Sequence, residues 1–336
     1  MVFLGQFGLG ACGAQKHFIT QMFGEGPQVK QWPRGAQFKK MKGSENMPRS
    51  IAQGFEDFLA NLKATKTETA LAKSHRASIE ACLKGNFGLN RFARIGSFGN
   101  GTNVSGYSDV DYLACIPTAQ LTKTSTASLV KVKNALAARF PNTGVAVNSP
   151  AVLVPFGEKK SEDTEIVVAD YIKESNGYKV YEIADGNDGW MEVSPDAHNA
   201  YVDYVDKQRG GKVKPLIRFI KAWKFYQGAK ISSFYLEMRV AKFAADETSI
   251  VYDIDINTIL RQLRDNELAK MQDPMGVSGY IYPCKTEAFK ADAQSKLSTA
   301  ATRSQKARDA ADKGDIKEAF EWLGKLYNGK FPSYYL

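Results

Sequence analysis

Apolar residues recur every three or four positions through Ile51, Phe55, Phe58, Leu59 and Leu62, and again from Ala70 to Leu83. That period predicts one long helical stretch over 51–84 with a single face turned to a core. The pattern then shortens. Tyr112-Leu113-Ala114-Cys115-Ile116 is an unbroken apolar run of strand length. Ala151 to Phe156 and Thr164 to Ala169 flank a charged turn from Gly157 to Asp163, the layout of a β-hairpin. A helical pattern near 128–140 lies between these strands. From about Asp203 helical spacing takes over, with helices expected over 213–226, 233–245, 256–270, 287–311 and 316–327, the last capped by Asp315. The order predicts an α+β, bilobed chain: a mixed sheet with helices over 47–202, a C-terminal helical lobe over 203–336, and the long N-terminal helix bracing both. Residues 1–46, with frequent glycine and no clean period, read as a poorly ordered or extension segment ahead of a natural start near Met47.

The chemistry concentrates just before the first strand run, between Gly96 and Asp111. Gly96-Ser97 and Gly101-Thr102 supply residues without bulk, backbone N–H groups and two small hydroxyls, which is what close approach of a triphosphate requires. Ser108 stands directly before the acids Asp109 and Asp111. Strand residues i and i+2 share a face, so both carboxylates can grip a common pair of divalent cations while Val110 turns into the core. Magnesium suits such a site, because it takes a few carboxylates plus substrate phosphates in place of a closed cage, and manganese can substitute. Two such ions can activate an attacking hydroxyl and stabilise a departing pyrophosphate in an in-line displacement.

A third acid is needed from a neighbouring strand. Glu165 shares a face with Val167 in the second hairpin strand and is the choice for third metal ligand and general base. Asp163 in the turn and Asp170 at the strand's end stay open as rivals.

Composition sets the bounds. A chain of 336 residues that is 43% hydrophobic can bury the cores of a two-lobed enzyme. No apolar run reaches the ~18 residues of a membrane span, and the apolar start lacks a positive leader, so the expected place is the cytoplasm, where nucleoside triphosphates are. Cys12, Cys82, Cys115 and Cys284 are scattered, which speaks against a disulfide framework or a zinc ribbon. With only His17, His75 and His198, histidine chemistry is not expected, and His198 reads as structural. Of the net charge of +9, nearly half sits in residues 1–46, where Lys16, Lys30, Arg34, Lys39, Lys40 and Lys42 face only Glu25 and Glu45. The mild remainder fits a site for polyanionic triphosphates; a duplex-binding stripe stays open as a second reading.

These segments resemble the polymerase-β-type nucleotidyltransferase superfamily, and within it the cyclic oligonucleotide synthases, the bacterial cGAS/DncV-like nucleotidyltransferases (CD-NTases) of antiphage CBASS signalling. The acid motif is shared with many polymerases. The runs Lys214 to Lys224 and Ile231 to Glu237, and the ending through Ala291, Lys313 to Trp322 and Phe331-Pro332, make the likeness specific over about residues 47–336. The resemblance implies a palm that carries the acids and a helical lobe across a cleft for two nucleotides, ATP and GTP foremost. It implies that Lys221 neutralises the triphosphate, that Ser233 hydrogen-bonds it and that Phe234 lies under the nucleobase. Read by themselves, the same residues leave open a solvated helix face for Lys221, helix caps for Ser232 and Ser233, and core packing for Phe234. One departure is the third acid, often aspartate before Val-Pro-Ala in the family and here Glu165-Ile166-Val167-Val168-Ala169. The implied activity is synthesis of a cyclic di- or trinucleotide second messenger that acts on a downstream effector, with a regulatory protein as a further partner. No Cys/His cluster is present that could build the zinc loop of animal DNA sensors. A linear, oligoadenylate-type transferase and an inactive nucleic-acid- or partner-binding module of the same fold are the alternatives.

Overall fold

In a computed structural model the chain is described at residues 49–63, 66–156 and 162–335. The segment 1–46 and residues 157–161, which the sequence reads as part of a turn, lie outside the described residues. The periodic N-terminal stretch forms two helices where one was expected, α1 (Ile51–Leu62) and α2 (Lys66–Phe87). Ser50 and Gln53 form a capping box at the start of α1, and Lys63 turns extended to end it. The break has a packing reason. Phe55 and Phe58 of α1 lie against Phe219, with ring centroids 5.0 and 5.7 Å away, in the helical core. Ile79, Leu83 and Phe87 of α2 pack on the sheet. One straight helix cannot serve both faces.

The sheet contains β1 (Arg91–Arg94), β2 (Val110–Cys115), β3 (Ala146–Asn148), β4 (Ala151–Phe156), β5 (Glu162–Ser175), β6 (Tyr178–Ala184) and β7 (Trp190–Val193). Its order is β1-β2-β5-β4-β3, with β6 on the far half of β5 and β7 on β6. β2 and β5 run parallel and every other pair is antiparallel, so the sheet is mixed, as expected. Side chains alternate across it. Tyr112, Ala114, Ile116, Ile166 and Val168 face α2 and the helix α4 (Ser125–Arg139), while Leu113, Cys115, Val167 and Ala169 face the other way. Asp109, Asp111 and Glu165 have the parity of the second set. They therefore project from the face that α2 and α4 leave uncovered. The short helix α3 (Gly96–Asn100) connects β1 to the loop before β2.

Beyond the sheet come α5 (Pro195–Gln208), α6 (Val213–Tyr226), α7 (Ser233–Asp246), α8 (Tyr252–Asp265), α9 (Glu287–Asp312) and α10 (Ile316–Leu326), with a small hairpin of β8 (Met271–Gln272) and β9 (Tyr280–Ile281). Their core is aromatic and aliphatic around Phe219, Trp223 and Leu236. Helical structure begins earlier than the periodicity suggested. Ser194 caps α5 by accepting from the Ala197 N–H, and Pro195 takes the first helical position, a start signal that lies ahead of the apolar repeat. α8 spans 252–265, shifted from the expected 256–270, because the chain turns at Asn266 and Glu267 and Leu268 take positive φ. Among the described residues no helix is long and apolar enough to cross a membrane.

Candidate active site

The parallel register of β2 and β5 sets Asp111 beside Glu165. With Asp109 they lie along a cleft of ≈ 440 Å³ between the sheet and the helices, whose opposite wall carries Lys221, Lys224, Ser232, Ser233, Phe234 and Glu237. Burial and the neighbouring carboxylates of Glu165 and Asp109 push the Asp111 carboxyl well above its usual range. Asp109 keeps solvent contact, yet the surrounding protein and the charges of Glu165 and Asp163 push it up to about 6. Glu165 is raised mainly by burial, and its Oε1 accepts from Asn148 Nδ2 at 2.8 Å. Neither rival third acid lines this cleft. Asp170 accepts from Thr118 Oγ1 at 2.9 Å, and Asp163 sits at the start of β5 opposite Pro155. Among the described residues, as the side chains stand, no group of three or more His, Cys, Asp or Glu is gathered closely enough to hold a metal ion.

Gly96 takes φ +59°, and a Cβ there would run into Asp111 Oδ2. The backbone of the turn thus lies on the carboxylate itself, a contact only glycine permits. The turn is fastened to β2 by Ile95 N–H donating to Asp111 O at 2.9 Å. Gly96, Ser97 and Ser108 line the cleft, and Ser108 Oγ also closes the loop by accepting from Val104 N–H at 2.9 Å. Gly101 and Thr102 are not among the lining residues. Gly101 ends α3 in the left-handed conformation. Thr102 is fully buried, and its hydroxyl donates to Glu237 Oε2 at 2.6 Å.

Glu237 organises the floor of the opposite wall. It accepts from Asn100 Nδ2 and Thr102 Oγ1 on the turn side, and from Lys221 Nζ at 3.4 Å on α6. Lys221 is fully buried, and burial lowers its pKa against the pull of Glu237. A solvated face is therefore not its place. Lys224, one turn on, donates to Ser233 Oγ at 2.6 Å and lies 4.5 Å over the Phe225 ring. Burial, then the charge of Lys221, lowers Lys224 to about 8, while Asp109 pulls the other way. Ser232 is the cap of α7, accepting from Tyr235 N–H at 3.3 Å, which leaves the Ser233 hydroxyl for Lys224 and the cleft. Phe234 is 39% exposed and lines the cleft, edge-to-face with His198 at 4.9 Å. Sequence reasoning passed over Lys224, Glu237, Asn148 and the cleft position of His198. The Lys-Ala-Trp-Lys spacing offered either lysine, and nothing local marks Glu237 or His198.

A search by sequence among curated proteins finds no match. Residues 49–205 match the family model of the Second Messenger Oligonucleotide or Dinucleotide Synthetase domain. Escherichia coli MS115-1 CdnC, solved with ATP, is 17% identical over 84% of this chain and 98% of its own, with a TM-score of 0.65. Vibrio cholerae DncV cyclic AMP-GMP synthase, in complex with the linear intermediate 5′ pppA(3′,5′)pG, is 13% identical over 85% of this chain and 97% of its own, with a TM-score of 0.67. Elizabethkingia meningoseptica CdnE cyclic dinucleotide synthase, with GTP and Apcpp, is 17% identical over 73% of this chain and 96% of its own, with a TM-score of 0.54. At these identities the likeness to solved structures is one of fold. Residues 49–205, which hold the sheet, both carboxylate strands and most of α5, thus match the second-messenger oligonucleotide or dinucleotide synthetase domain, and the described chain has the fold of these solved synthases.

Proposed function

We propose that this chain joins nucleoside triphosphates, ATP and GTP foremost, into a cyclic di- or trinucleotide second messenger with release of pyrophosphate. The observation that carries the reading is the pairing of Asp111 with Glu165 in a cleft whose far wall presents Lys224 and Ser233. Asp109, Asp111 and Glu165 would hold two magnesium ions, for which manganese can substitute. The fit rests on their repulsion: three carboxylates with raised pKa values crowd one open cleft and want a counter-charge. An open set completed by substrate phosphates, in place of a closed cage, is the form magnesium prefers. When bound, the ions supply Lewis-acid activation of the hydroxyl and charge neutralisation at the leaving oxygen.

The protein's own groups do the rest. Lys224 and Ser233 hold the triphosphate, with Ser97 and the glycine-bearing turn against its other side. Lys221 acts from behind, paired with Glu237. Phe234 offers an aromatic ledge for a base. Glu165 accepts the proton of the attacking hydroxyl. A linear intermediate then turns and closes in a second round. In the cell the product would act on an effector in antiphage defence, in the cytoplasm, with a regulatory protein as a further partner; a solved complex of E. coli CdnC with HORMA-deltaN supports that last element.

The test is incubation of the full chain with labelled nucleoside triphosphates and magnesium or manganese, followed by phosphatase and then an exonuclease that needs a free end. A resistant product that disappears in Asp109→Asn and Asp111→Asn establishes cyclisation. Oligomers that lose terminal phosphate and then fall to the exonuclease identify a linear transferase. Salt-sensitive nucleic-acid binding without turnover identifies a binding module.

A further inference from the structure

His198 lies in the wall of the cleft at 5% exposure, with its ring edge-to-face against Phe234. Its Nε2 sits 3.0 Å from each carboxylate oxygen of Asp273, which is itself 2% exposed. Asp273 has no freedom to turn away. Its Oδ1 accepts from Met275 N–H at 3.0 Å, and its Oδ2 from Val277 and Ser278 N–H at 3.0 and 2.8 Å. Those bonds and His198 hold its carboxyl down at about 2 against the opposing effect of burial, so it stays an acceptor at any working pH. An ionised partner requires the proton on Nε2, which fixes the imidazole tautomer. In the neutral ring Nδ1 is then a lone-pair acceptor, and no described residue donates to it.

A buried polar network of this kind, with one unclaimed acceptor beside an aromatic ledge, has the form of a recognition element. Hydrogen-bonding groups placed in an otherwise apolar pocket discriminate far better than shape does. Bases that carry an amine at their exchangeable edge, N6 of adenine or N4 of cytosine, donate to such an acceptor. Bases with a carbonyl there, hypoxanthine, guanine or uracil, place one lone pair against another.

We propose that His198, held in one tautomer by Asp273, is a specificity-determining residue that accepts from the exocyclic amine of a nucleobase lying on Phe234. The inference rests on the synthase reading for the presence of a nucleotide in the cleft. It assigns the site a preference for amine-bearing over carbonyl-bearing bases. Asp273 is a positioning residue, since it acts only through His198.

The test is equilibrium binding of ATP, ITP, CTP and UTP to the full chain in magnesium, because each pair differs in amine against carbonyl. The expected result is ATP over ITP and CTP over UTP by about tenfold, or ~1.4 kcal/mol. His198→Ala should level both ratios, weakening ATP and CTP and relieving the lone-pair repulsion against ITP and UTP, an outcome that a merely structural histidine does not give. Asp273→Asn offers an N–H to Nε2, moves the proton to Nδ1 and should turn the preference toward ITP and UTP. Ratios near one in the parent chain, or ratios that survive in a folded His198→Ala, overturn the proposal and leave the synthase reading standing. Absence of binding by all four triphosphates overturns the synthase reading and the proposal together. If His198→Ala fails to fold, the parent ratios and the Asp273→Asn reversal still decide.

Discussion

Asp111 and Glu165 are register partners on adjacent parallel strands, so the sheet's backbone hydrogen bonds hold together two carboxylates that repel each other. Asp111→Asn removes one charge at nearly constant shape. Turnover is expected to fall by at least about a thousandfold, since the lost group serves charge stabilisation worth several kcal/mol. The melting midpoint of the cation-free protein should rise by about 2–4 °C, because a dehydrated, repelled charge has gone. A product assay and calorimetry on one preparation check both signs.

The pH dependence of stability follows from Asp109. Its carboxyl titrates at about 6 in the fold against an ordinary 3.8. Between those values the folded chain holds a proton that the unfolded chain has lost, so the stability of the cation-free protein falls as pH rises through the window. Divalent cations bind the ionised form. Their stabilising effect should therefore grow from about pH 5 to about pH 7, and it should be much reduced in Asp109→Asn. Melting curves with and without magnesium across that range test it.

Lys221 and Lys224 should separate cleanly. Lys224→Met is expected to raise the KM for nucleoside triphosphate by about tenfold with little change in stability, as a partly exposed charge contact to phosphate is lost. Lys221→Met leaves Glu237 buried without its counter-charge, and should cost about 3–5 kcal/mol of stability. Denaturant melts and steady-state kinetics on the two variants distinguish a phosphate contact from a structural pair.

Gly96→Ala combines a left-handed backbone with a Cβ directed at Asp111. A loss of about 1–2 kcal/mol in stability is expected. Displacement of the carboxylate by even about 1 Å should cost roughly a hundredfold in turnover. Gly101→Ala, with open space around its Cβ, keeps the backbone penalty without the collision and serves as the control.

Much of the site was readable because it is local. The Asp-Val-Asp spacing and the Glu165-Ile166-Val167 alternation each fix a face within one strand, and the structure keeps those faces. The parallel pairing that brings the two strands side by side is a contact across more than fifty residues, and no local pattern encodes it. Lys221 and Lys224 differ in role only because Glu237, sixteen positions beyond Lys221, reaches one and Ser233 reaches the other. α5 was missed for a different reason. Its cap and proline preceded any apolar repeat, and a helix whose first turn packs against the sheet and cleft shows little periodicity there. The single long N-terminal helix was an over-reading of continuous period: the spacing gives the face of a helix and not which core that face will meet.

The bonds that converge on Glu237 also bear on how a ring could be closed. One carboxylate ties the turn beneath the acids to α6 and α7 on the far wall, and all its partners are buried. Two walls tied through one buried carboxylate in this way are held at a fixed separation. Under the proposed synthesis, the first product would pivot inside a frame of constant span, and the size of the finished ring would become a matter of how long a chain can make that turn.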